Sequence, residues 1–490
     1  MVFHSFSFLI FFPIVTIGFF SIPQPHRWLW LLLASCVFYM AFVPAYILVM
    51  FLLIAIDYTA AIFIERSVGR KRKFYLLLSV LSTCSVLFLF KYFNFFNFNL
   101  DSLAHFLGWN YNASTLSLLL PLGLSFHTFQ SLAYVIEVYR GHQKVERHLG
   151  YYAVYVLFFP QLVAGPIERP GNLLPQFRQE FHFDPSRVTS GLKLMVWGFF
   201  KKLVVADRLA FLVNHIYNDP YSYTGWPLIL ASYAFAFQIY ADFSGYSDIA
   251  RGAARVLGFK LMVNFDQPYL AKSIQEFWQK WHISLSTWFK DYLYIPMGGS
   301  RVPWWPWARN VMIVFIISGI WHGANWTFVF WGALHGFYLV CAKATANLRS
   351  NLWRFLGPIK RSAFYVAWKV LVTFHLVVFG YIFFRANSIS EAFYIIQHLF
   401  VFDKTAYYLA QLKLPGSTEL LMGLPKKEMI LAFVAILIME VGTFIYKRFN
   451  VNDWLAQRSV WIRWGFYHAL VLFIIFWGSF GTKEFIYFQF

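Results

Sequence analysis

Charged residues are scarce in this sequence. Asp, Glu, Lys and Arg make up 13% of its 490 residues, while apolar types reach 59%. A soluble domain carries about 25% charge and about 45–50% apolar residues, so a soluble enzyme and a disordered chain are both excluded. Cysteine is almost absent, and Cys36, Cys84 and Cys341 all fall inside apolar segments, which excludes a secreted disulfide scaffold. No P-loop, G-x-S-x-G, H-E-x-x-H or C-x-x-C signature occurs, so serine and metal hydrolysis have no support and no metal site is expected. Internal repeats and low-complexity tracts are missing too. Acid is the scarcer charge: 41 Lys and Arg stand against 22 Asp and Glu, a formal +19. On a soluble chain that excess would suggest nucleic acid. Here it marks loops on the cytoplasmic side of a membrane, where Lys and Arg concentrate, and no nucleic-acid partner is expected.

What is present in quantity is long apolar runs. Runs of about 18 or more residues read as membrane spans. Candidates lie near residues 5–22, 28–43, 45–64, 74–93, 115–137, 226–245, 364–385, 428–446 and 464–480, with broken apolar stretches at 151–165, 189–213 and 310–343. The expectation is an all-α, polytopic integral membrane protein of roughly 11 spans. The first 22 residues hold no Lys or Arg and no A-x-A-like cleavage site, and read as a retained span rather than a signal peptide.

Loop charge sets the expected sidedness. Loop 65–73 carries Arg66, Arg70, Lys71, Arg72 and Lys73 against Glu65; loops 138–150, 343–363 and 447–463 are also basic; loop 94–114 has Asp101 and no Lys or Arg. The basic loops are expected inside and 94–114 outside. Both termini, including the tail 481–490, then fall outside. Residues 246–309, with eight Lys or Arg and four Asp or Glu, form a cytoplasmic-side interfacial region within a single membrane domain, 1–490.

One histidine sits where histidine is costly. The apolar stretch Asn310 to Trp321 has 12 residues, about 18 Å as a helix, against a hydrocarbon core of ~30 Å. His322-Gly323-Ala324-Asn325 follows, and Trp326 to Ala342 leads back. His322 is therefore expected beside a helix break at bilayer depth, where irregular backbone is tolerated only if buried in protein or lining a wet cavity. An ionisable residue there is a functional candidate, and a neutral imidazole can act as a base. A packed core histidine is the other reading. The pairs Gly319/Gly323 and Gly332/Gly336 suit close helix packing. His335 stands 13 residues on, about 220° around an ideal helix, and is read as structural.

Residues 278–289, WQKWHISLSTWF, show a helical period. Trp278, Trp281, His282, Leu285, Trp288 and Phe289 form one stripe, as on an amphipathic interfacial helix. For His282 a structural and a functional reading stand side by side. Further polar residues in apolar settings are His127, Gln130 and Glu137, Glu168-Arg169, and Gln238, Asp242, Ser244, Ser247 and Asp248. Each is costly in lipid and should face the protein interior.

The stretches WHISLSTWFKDYLYIPMGGSR and SGIWHGANWTFVFWGALHG resemble the membrane-bound O-acyltransferase family. LPLGLSFHTFQSLAYVIEVYRG, FFPQLVAGPIERP, YADFSGYSDIARG and the terminal FIYFQF are similar to its bacterial branch, which acetylates alginate and peptidoglycan. The resemblance runs along the whole chain. It implies a helical body with re-entrant and interfacial helices around a central tunnel. It maps the family's two marked polar positions onto His282 and His322, and makes both catalytic candidates. Gln130, Gln238, Asp242, Trp281, Trp321 and Asn325 are assigned to the tunnel lining. Acetyl-CoA is the implied donor substrate, with no permanently bound cofactor. The implied partners are membrane lipid, an extracytoplasmic acetyltransferase partner and, through it, a polysaccharide acceptor; the implied location is a bacterial inner membrane. Tyr487 resembles the tyrosine of a terminal aromatic motif in the teichoic-acid D-alanylation machinery and is a candidate acetyl carrier. Two alternatives stay open here: a polytopic transporter or flippase without acyl chemistry, and a family member acting on a lipid or protein acceptor.

Overall fold

A computed structural model describes residues 1–490 except 113, 164, 356–361, 407, 409–425, 450–456, 481–484 and 486–490. Every regular element among the described residues is helical. Among the described residues five helices are long and apolar enough to cross a membrane: Tyr46–Arg66, the continuous run Gly69–Phe106, Ala363–Arg385, Lys427–Arg448 and Val460–Trp477. Phe6–Ser21 is apolar but shorter. Other apolar runs form shorter helices, such as Arg27–Met40 and Leu149–Leu157.

The chain divides into two compact units, 1–195 with 247–263, and 196–246 with 264–490. In the first, the helices Tyr46–Arg66 and Gly69–Leu87 are tied by a buried carboxylate: Asp57 accepts from Ser79 Oγ at 2.6 Å and from Thr83 Oγ1 at 3.2 Å. The Gly69 helix runs through a π-helical stretch, Phe88–Tyr92, into Phe93–Phe106. Residues 94–106 of the expected outer loop 94–114 are therefore helical, and the run of 38 residues extends about 57 Å. The candidate span 115–137 is corrected as well. Its helix begins only at Leu124, after Pro121 and after Gly123 at φ +74°, where a Cβ would fall 2.3 Å from the Leu162 carbonyl oxygen. Only glycine accepts both that φ and that contact.

Glu168, expected to face the protein interior, is fully buried and takes two neutral donors. Met262 N donates to its Oε1 at 2.5 Å and Asn172 Nδ2 to its Oε2 at 2.6 Å. Gln130 is also in this unit, where its Nε2 donates to the Tyr155 carbonyl at 2.8 Å.

The second unit is organised by a helical hairpin, Trp304–His322 and Trp326–Ala344. The first arm starts six residues earlier than expected, at Trp304, with Pro303 as its N-cap. It has 19 residues, about 28 Å rather than 18 Å. The arms cross where both chains have glycine. A Cβ on Gly319 would lie 2.2 Å from the Phe328 carbonyl oxygen and 3.3 Å from Gly332 Cα; one on Gly332 would lie 2.2 Å from the Phe315 carbonyl oxygen. The small-residue pairs read from the sequence are the seam of this hairpin.

Candidate active site

The site is built from the break in residues 278–289. The single amphipathic helix expected there does not form. Ser273 caps a short helix, Ile274–Lys280: its Oγ accepts from Glu276 N at 3.1 Å, and Glu276 Oε2 reaches back to accept from Lys272 N at 2.8 Å. That helix stops at Trp281. His282 then takes φ +44°, ψ +56°, and a second helix, Ile283–Phe289, begins.

Only Gln267 shares a positive φ with His282 among the described non-glycine residues. For an L-residue with a Cβ this region costs roughly 1–2 kcal/mol. Asn264 holds the break in place: its carbonyl accepts from Ile283 N at 2.9 Å and its Oδ1 from Ser284 N at 3.3 Å. The strained turn drives the His282 ring inward, where it is 1% exposed and meets the edge of Phe243 with centroids 4.5 Å apart. Burial pushes this imidazole down to about 3, so it is neutral at any physiological pH.

His322 closes the first arm of the hairpin. Its C-cap, Gly323, is fully extended, and Asn325 caps the return helix by accepting from Thr327 N at 3.0 Å. Asn325 Nδ2 donates to the Asn387 carbonyl at 2.9 Å, so this residue's polar atoms fix the turn. The His322 ring is buried at 4% exposure. It packs on Trp331 at 5.0 Å, on Phe384 at 5.2 Å and on its neighbour Trp321 at 4.8 Å.

Trp321 joins the two histidines. Its indole lies 6.5 Å from the His282 ring as well. Trp281 is buried among Phe265, Tyr269, Phe277 and Tyr381. Of the sequence-assigned lining residues, Trp321 lies beside both histidines and Trp281 precedes His282 at the break, while Asp242 pairs with Lys202. Gln238 is buried one helical turn before Asp242.

Two features had no sequence signal. Lys202, in the π-helical stretch Phe200–Ala206, is buried between Asp207 at 2.9 Å and Asp242 at 2.8 Å. Tyr246, one turn beyond Asp242, covers the ammonium, and Phe485 packs on both Tyr246 and Phe243 with centroids 4.4 and 5.7 Å away. The second is His335, which the 13-residue spacing set aside. His335 stands one helical turn after Trp331 on the return helix, with ring centroids 5.1 Å apart, and Trp331 also packs on His322. Tyr487 lies outside the described residues. They include no cluster of three metal-ligating side chains.

Residues 147–384 match the model of the MBOAT, membrane-bound O-acyltransferase family. The chain is 37% identical to the probable alginate O-acetylase AlgI of Pseudomonas aeruginosa over 88% of its own length and 81% of that protein's. The chain belongs to the membrane-bound O-acyltransferase family. A peptidoglycan O-acetyltransferase of Helicobacter pylori is 35% identical across 74% of the chain and 72% of its own length. The teichoic acid D-alanyltransferase of Streptococcus thermophilus is 28% identical across 55% and 69%. As a member of the family, the chain is a multi-pass membrane O-acyltransferase, which removes the transporter reading.

Proposed function

We propose that this acyltransferase moves an acetyl group from cytoplasmic acetyl-CoA to the outer side of the membrane, for O-acetylation of a polysaccharide. The observation that carries the reading is the pair of buried imidazoles, His282 and His322, packed on one indole, Trp321. The named activities of the relatives from P. aeruginosa and H. pylori favour a polysaccharide acceptor over a lipid or a protein.

In this mechanism His322 is the base. It takes the proton from an attacking hydroxyl as the oxygen adds to the thioester carbonyl. The tetrahedral intermediate collapses, the carbon–sulfur bond breaks, and the proton goes to the departing thiolate. His282, on its strained turn, orients the donor and stabilises the oxyanion. A base of this kind contributes about 10²–10⁴-fold in rate.

The acetyl acceptor in the membrane is the Tyr487 phenol, and an extracytoplasmic partner passes the acetyl to the polymer. Phe485, two residues before it, is fully buried beside Phe243, the ring that carries His282, which favours a tail that returns to the site. The termini on the outer face and the basic loops on the cytoplasmic face belong to the same proposal. The test is acetyl transfer by the purified protein from labelled acetyl-CoA. Wild type should load label and release free thiol; His322→Ala should do neither, and Tyr487→Phe should hold no ester. Loading by His322→Ala at the wild-type rate refutes the base, and an unchanged Tyr487→Phe refutes the carrier.

A further inference from the structure

Trp278, Trp331 and His335 pack against one another as a triangle of rings. Centroids are 5.1 Å apart for Trp278–His335, 5.1 Å for Trp331–His335 and 5.7 Å for Trp278–Trp331. All four ring nitrogens that can hydrogen-bond, two indole Nε1 and both imidazole nitrogens, are buried without a hydrogen-bond partner among the described residues. His335 has no exposed surface at all and Trp331 is 2% exposed.

Packing alone does not explain this choice of residues. A buried polar group without a partner costs about 1–3 kcal/mol, and phenylalanine would fill the same space without it. Three such groups on touching rings, with Trp331 also against His322 at 5.0 Å, mark polar lining that serves a ligand. Gly380 packs against the imidazole so closely that a Cβ there would fall 2.8 Å from Nε2.

The donor inventory defines the ligand chemistry. Indole nitrogens only donate, whereas a neutral imidazole donates from one nitrogen and accepts at the other. The complement is a neutral group with an acceptor oxygen and an N–H donor, which is an amide. A phosphate would leave the imidazole acceptor unserved and would bring charge onto rings that carry none. We infer that Trp278, Trp331 and His335 form an amide-binding subsite that holds the amide-bearing arm of the acyl-thioester donor, one indole away from His322. This rests on the acyl-CoA reading of the donor.

The test uses the full-length protein purified in detergent, with three acetyl thioesters: acetyl-CoA, acetyl-pantetheine, which keeps the amides and lacks the nucleotide, and S-acetyl-2-mercaptoethanol, which has no amide. His335→Phe should raise KM for the first two by the same factor, roughly fivefold to a hundredfold for a lost buried hydrogen bond. The third should be indifferent, and the loss should sit in KM rather than kcat. The melting temperature should hold or rise, because an unpartnered polar ring has been replaced by an apolar one. His335→Gln, which keeps a donor and an acceptor, should recover most of the KM. Should His335→Phe not fold, Trp278→Phe gives the same comparison across the three thioesters. An unchanged KM for acetyl-pantetheine, or a fall in kcat and melting temperature with KM unmoved, overturns the subsite and leaves a packing cluster. Wild-type protein that turns over no thioester overturns the acyl-CoA reading and the subsite with it; wild-type turnover with a variant of unaltered KM overturns the subsite alone.

Discussion

Gly319 and Gly332 face each other across the hairpin so closely that a Cβ built on Gly319 would stand 3.3 Å from Gly332 Cα and 2.2 Å from the Phe328 carbonyl. His322 lies three residues beyond Gly319, at the end of the same helix. Gly319→Ala therefore has to push backbone against backbone. Overpacking of this kind costs typically 1–3 kcal/mol. The expected outcome is a lower melting temperature together with reduced acetyl transfer, since the displaced helix carries the base with it. A variant with wild-type stability would show that the seam can open freely.

At position 282 the backbone and the side chain can be tested apart. Asn tolerates the left-handed region better than other residues with a Cβ, and Gly adopts it without strain. His282→Gly and His282→Asn should hold their fold better than His282→Ala, as judged by melting temperature. All three should lose transfer to a similar extent if the imidazole itself contacts the donor. Recovery of activity in the glycine variant alone would assign the position a backbone role only.

Lys202 is buried between two carboxylates at 2.9 and 2.8 Å. Lys202→Met leaves both without their shared cation, and breaking such a buried pair from one side costs about 3–5 kcal/mol. Combining it with Asp207→Asn and Asp242→Asn should restore much of the loss, because the charges are then removed together. Detergent melting curves of the single and triple variants check this; a triple variant no better than the single would show that the ion triad is not the source of the loss.

Glu168 predicts a pH dependence of stability in the first unit. Burial pushes its carboxyl up from 4.5 to about 7, against the hydrogen bonds from Met262 N and Asn172, which pull it down. The folded state therefore binds a proton more tightly than the unfolded state. This contribution is fully present below about 4.5 and is lost as pH rises towards 7. Melting temperatures measured from pH 4 to pH 8 should show that decline for wild type and a flatter profile for Glu168→Gln. Identical slopes would assign the dependence to other groups.

Much of this protein was legible in its residues. Low charge and long apolar runs determine a helical membrane chain, because backbone groups in lipid must be satisfied within the segment. The sequence His322-Gly323-Ala324-Asn325 marks its own helix break, since Asn325 is a strong capping residue and glycine ends helices. Helical periodicity, by contrast, carries no information about where a strained residue interrupts it. The stripe from Trp278 to Phe289 reads as one helix, whereas in the structure His282 stands at φ +44° beside the hydrogen bonds from Ile283 and Ser284 to Asn264. The spacing of His335 from His322 does not encode the crossing at Gly319 and Gly332 that fixes how the two arms lie. Membership of the fold class follows from local composition and patterning. The meeting of His282 and His322 on Trp321, and of Trp278, Trp331 and His335 beside them, depends on contacts between distant segments, which only the packed structure decides.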